Sequence, residues 1–142
     1  QWHAWLRSML RTTSTITDAF NHTRRFYGRH DDHDTLKQAA AHEPQANTTG
    51  ATNLALHRLW HDPGNRRPDG SLIVEPLHQV HDALLLQWRI ADREFALTHI
   101  PRWFHNRITI AGVQLVIPFE GGYGPSWGEC DAGKRPILPL TA

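Results

Sequence analysis

Between residues 77 and 86 the chain reads Leu77-His78-Gln79-Val80-His81-Asp82-Ala83-Leu84-Leu85-Leu86. An acid falls at a break between two apolar runs. A carboxylate at such a turn stays out of the sheet, while the flanking strands hold it rigidly. That suits a ligand for a hard cation such as Mg²⁺, which prefers carboxylate oxygen. The same residues also suit a polar hairpin turn with no chemical task, because short motifs recur by chance. A second stretch is Glu43-Pro44-Gln45-Ala46-Asn47-Thr48-Thr49-Gly50. Gln45 could hydrogen-bond base edges in a minor groove, where amide side chains read acceptors. Lys37, Gln45 and Asn53 follow one another at intervals of eight residues, close to whole helical turns. They could line one polar face along a groove, or simply be the solvated side of an amphipathic helix.

The chain holds 11 histidines, which raises a metal reading. His57 and His61 are spaced to share one ion on a helix, and His30-Asp31-Asp32-His33-Asp34 is another cluster. No pattern supplies a third ligand, there is no His-Glu-x-x-His, and solvated histidines are the simpler account.

The elements that would position these residues can be read from periodicity. Trp2, Trp5, Leu6, Met9 and Leu10 form the stripe of an amphipathic helix. Thr12 to Thr17 favours strand by β-branching, and Arg24-Arg25-Phe26-Tyr27 can return it as a short hairpin. Asp34 or Thr35 is expected to cap a helix from about Leu36 to Trp60. Pro44 predicts a kink or restart near Glu43, because proline lacks the N–H and clashes with the preceding turn. Asp62 to Gly70 is a loop. Leu72 to Arg89 reads as strand, break, strand, with Ala83 to Leu86 suited to a strand buried on both faces. A helix follows from Ala91 to about Asn106, with Phe95, Ile100, Trp103 and Phe104 as its buried side. Val113 to Phe119 is a final strand, and the Pro-rich tail is expected to be irregular.

Bulk composition sets bounds. The 142 residues are 39% hydrophobic and 20% charged, enough for a core and too apolar for a disordered tail. Lys and Arg number 15 against 14 Asp and Glu, a formal charge of +1. A nucleic-acid face would therefore have to be local. The single Cys130 excludes an internal disulfide framework. No apolar run could span a bilayer and nothing reads as a signal peptide. The six tryptophans are assigned to core or to contacts with an upstream partner segment. The first residue is Gln1, so a fragment, a processed product or a partial reading frame is expected.

Taken in order, these features resemble the end of the polymerase domain of family A DNA polymerases, the class of bacterial DNA polymerase I and its phage relatives. The carriers are Arg24-Arg25-Phe26-Tyr27, the helix opening Asp34-Thr35-Leu36-Lys37-Gln38-Ala39, the Pro44-Gln45 break, Val80-His81-Asp82, and Gly124-Pro125-Ser126-Trp127-Gly128-Glu129. The likeness covers nearly the whole chain. It implies an α+β fold: an antiparallel palm-type sheet of two hairpins and a C-terminal strand, a long kinked helix and two further helices. Residues 1–129 would be the C-terminal part of the palm and fingers, and 130–142 an irregular tail. It implies template-directed DNA synthesis, nucleotidyl transfer from a dNTP to a primer 3′-OH, in the cytoplasm of a bacterium or a phage-infected cell. Asp82 would be the catalytic metal ligand of a two-Mg²⁺ site. His81, Gln45, Lys37, Arg24, Arg25 and Asn53 would contact primer–template DNA. The partners would be that DNA, the dNTP and the N-terminal part of the polymerase, with no membrane.

The chain departs from the family pattern. Ala83 stands where an acid often follows His-Asp, and His22-Thr23 replaces a Gly-Arg. The partner aspartate and the nucleotide-holding fingers helix lie upstream in the family and are absent from these residues. A lone aspartate cannot organise two metals, so the isolated chain is expected to be inactive. The rival expectation is a non-catalytic nucleic-acid-binding module derived from a polymerase.

Overall fold

A computed structural model describes residues 1–110 and 112–138. The class is α+β, with small antiparallel hairpins and one long helix among others. Two compact units, residues 1–50 and 51–142, divide the chain.

The first unit begins with α1 (Trp2–Thr12). Its apolar stripe buries Leu6 and Leu10 and leaves Trp2 and Trp5 exposed. Ser14 takes a left-handed φ of 55° just beyond the helix end, its N–H donating back to Met9 and Leu10 carbonyls. The chain then forms the expected hairpin, β1 (Thr15–Thr17) paired with β2 (Thr23–Arg25). Ile16, Phe26 and Ala39 close the core over Leu6 and Leu10. Inside the hairpin, Asp18 is buried and ties the turn: its Oδ1 accepts the Phe20 and His22 N–H groups at 2.9 and 2.8 Å.

α2 (His33–His61) starts earlier than the sequence suggests. Asp32, not Asp34 or Thr35, acts as its cap, accepting the Thr35 N–H at 3.1 Å and the Thr35 hydroxyl at 3.2 Å. The helix continues through Pro44 instead of restarting near Glu43. One lost N–H is a small defect in so long a ladder. The division between the two units falls within α2, at Gly50. There Gly50 is buried with its α-carbon against the Phe20 ring, leaving no room for a side chain.

The second unit contains β3 (Val74–Val80), β4 (Ala83–Trp88), α3 (Arg93–Phe104), β5 (Asn106–Ile110), β6 (Val113–Ile117), β7 (Gly121–Gly122) and β8 (Pro136–Ile137). Its core is Leu59, Leu72, Val74, Ala96, Ile100, Trp103 and Ile137. Three details differ from expectation. Leu84, Leu85 and Leu86 are only half-buried and Ala83 is exposed, because β4 pairs with β3 alone. The last strand is not solitary: Asn106, read as the end of a helix, instead opens β5, which pairs with β6. The tail is not wholly irregular, since β8 pairs with β7; residues 139–142 of that tail lie outside the described residues.

Buried polar side chains brace this unit. Asn65, fully buried, donates to the Leu59 and Val74 carbonyls at 3.1 and 3.0 Å and accepts the Val74 N–H at 2.8 Å. Arg58 donates to the Trp103 and His105 carbonyls and to Asn106 Oδ1 at 3.0, 3.2 and 2.7 Å. It thereby satisfies carbonyls freed where α3 ends.

Candidate functional site

In the second unit, the β3–β4 hairpin places His81 and Asp82 at its tip. Val80 pairs with Ala83 across the ladder, so these two residues alone form the turn. Both are exposed. His81 has a left-handed φ of 51°, a region that a non-glycine residue enters only at a cost in free energy. The hairpin is also bulged: Pro76 pairs with Leu86 and His78 with Leu85, leaving Leu77 as the extra residue. A bulge increases local twist and re-aims the strand beyond it.

Two contacts tie the tip to the C-terminal half of α2. The Thr52 hydroxyl donates to the Asp82 backbone carbonyl at 2.9 Å. Gln79 Nε2 donates to Asn53 Oδ1 at 2.7 Å. His81, Asp82 and Asn53 are thus brought into one neighbourhood. Thr52 and Gln79 join them without having been singled out in the sequence. The Asp82 side chain is exposed and open to a cation or a solvent molecule. Among the described residues no group of three His, Cys, Asp or Glu side chains could hold a metal ion. Asp82 fits a magnesium site as one oxygen ligand, and a complete site would need further ligands from elsewhere. His57 and His61 do lie together, ring centroids 4.4 Å apart, but remain a pair.

The first unit carries the other candidate DNA contacts. Lys37 and Gln45 are exposed on α2, and Arg24 and Arg25 are exposed on β2. Arg24 lies over the Phe26 ring, 5.0 Å from its centroid, and reaches Gln38 Oε1 at 3.5 Å. Stacking on Phe26 holds the guanidinium in place while keeping it in solvent. Successive strand residues face opposite ways, so Arg24 and Arg25 cannot both serve the same surface. Beside them, His42 sits edge-on to Phe26 at 6.0 Å, and its buried Nε2 finds no partner among the described residues. Burial, reinforced by the positive charge of Arg24, pushes the His42 pKa below its ordinary value.

No family model matches the chain, and no curated protein and no solved structure matches it. No helix among the described residues is long and apolar enough to cross a membrane.

Proposed function

We propose that the chain is the C-terminal part of the polymerase domain of a family A DNA polymerase and takes part in template-directed DNA synthesis. The observation that carries this reading is the His81–Asp82 turn: two exposed polar residues at a hairpin tip, the first in a left-handed backbone conformation. Strain of that kind persists where the surroundings impose it and tends to gather at functional sites. Packing gives no reason for a histidine there, because its side chain is exposed.

On this reading Asp82 supplies one carboxylate to a two-Mg²⁺ site, and an aspartate outside these residues supplies the other. Mg²⁺, when bound, lowers the pKa of the primer 3′ hydroxyl and neutralises charge on the leaving pyrophosphate. His81 contacts the primer terminus from the same turn. Asn53 and Gln45 face the minor groove, where an amide can meet acceptors common to every base pair. Lys37 and one of Arg24 and Arg25 hold phosphates, which fixes position without reading sequence. The compartment that fits is the cytoplasm of a bacterium or a phage-infected cell.

The test is Asp82→Asn in a polymerase assembled from this chain and the upstream palm and fingers. Primer extension should fall by roughly two orders of magnitude or more, as when a principal electrostatic group is removed, while primer–template binding persists. The purified 142-residue chain should show no extension by itself. A second reading, a nucleic-acid-binding module without catalysis, is favoured by Ala83, which leaves Asp82 without an adjacent acid. It predicts that Asp82→Asn changes neither activity nor binding.

A further inference from the structure

We infer that Thr52 is a positioning residue for Asp82. The inference rests on the polymerase reading for its functional consequence, but its structural part stands apart from that reading. The Thr52 side chain is buried on α2, and its hydroxyl donates to the carbonyl of Asp82 at 2.9 Å. A two-residue turn has few internal hydrogen bonds, and His81 within it is in an unfavourable backbone region. Without support, such a tip could turn about the N–Cα bond of Asp82. That rotation would swing the Asp82 carbonyl and carboxylate together. The hydroxyl of Thr52 blocks it by gripping the carbonyl, and the Gln79–Asn53 amide pair holds the strand just before it. The long helix that is expected to lie along the DNA therefore also sets where the carboxylate points. A metal ligand must be held to within a fraction of an ångström, so the support matters as much as the ligand.

The test compares Thr52→Val, which keeps shape and loses the hydroxyl, with Thr52→Ser, which keeps the hydroxyl. In the chain itself, amide hydrogen exchange at Val80 to Ala83 should quicken by roughly three- to tenfold in Thr52→Val, the factor carried by one net hydrogen bond. Exchange in α3 should be unchanged, and Thr52→Ser should behave like the parent. In the assembled polymerase, Thr52→Val should raise the Mg²⁺ concentration for half-maximal extension several-fold, and Thr52→Ser should restore it. A structural role alone would lower stability without moving the Mg²⁺ requirement. Unchanged exchange at the tip overturns the inference, as does quickened exchange with an unmoved Mg²⁺ requirement. If Asp82→Asn leaves extension intact, the polymerase reading has failed, and tip exchange then decides by itself whether Thr52 holds the turn.

Discussion

Two buried or half-buried groups in the first unit make it sensitive to acid. Asp18 would have its pKa raised by burial alone, but the His22 N–H, the His22 ring and the Phe20 N–H outweigh that and hold it below the ordinary 3.8. His42 is held below its ordinary 6.5 by burial and by Arg24. Both folded-state values are depressed, so the sign is the same for each. The folded state binds fewer protons than the unfolded one, and stability falls as pH drops. His42 acts first, below about pH 6.5, and Asp18 follows below about pH 3.8. Urea midpoints measured from pH 8 down to pH 3 should decline in two stages, and His42→Leu should remove the upper stage alone. A decline confined to the lower range in the parent would show that His42 carries no such cost.

Elements were legible in the sequence where a side chain announced its own environment. The break between Val80 and Ala83 marks a turn because two polar residues interrupt apolar runs, and the β3–β4 hairpin is where that break placed it. The hairpin of β1 and β2 follows from its threonines in the same way. β5 was not legible, because Asn106 to Ile110 follows a helical stripe without a glycine or proline stop. What redirects the chain there is Arg58, reaching 45 to 48 residues along the sequence to carbonyls and an amide oxygen. A partner that is a backbone carbonyl leaves no trace in the residue types around it. Thr52 was hidden for the same reason, since its acceptor is the main chain of Asp82. Arg58→Met should therefore cost the second unit about 3 kcal/mol in urea unfolding followed by tryptophan fluorescence, because it leaves several acceptors unsatisfied. Arg58→Lys should recover less than half of that, an ammonium being unable to reproduce the planar guanidinium fork.

For the whole molecule, a formal charge of +1 leaves no general attraction for DNA. Any affinity must arise from particular cations such as Arg24 and Lys37. On the polymerase reading, binding to primer–template should weaken with added salt. Arg24→Ala should reduce the slope of log affinity against log salt by about 0.9 if it neutralises one phosphate. An unaltered slope would remove Arg24 from the contact surface. The composition could bound this question and not answer it, because net charge says nothing about where charges gather.

The left-handed backbone at His81 has a consequence for how this chain would change under selection. A glycine adopts that conformation without strain, so His81→Gly should raise thermal stability by roughly 1 kcal/mol. A library screened only for heat resistance would drift toward glycine at this codon. On the polymerase reading, a library screened for DNA synthesis would keep histidine. The same position would thus report which demand a population had been under.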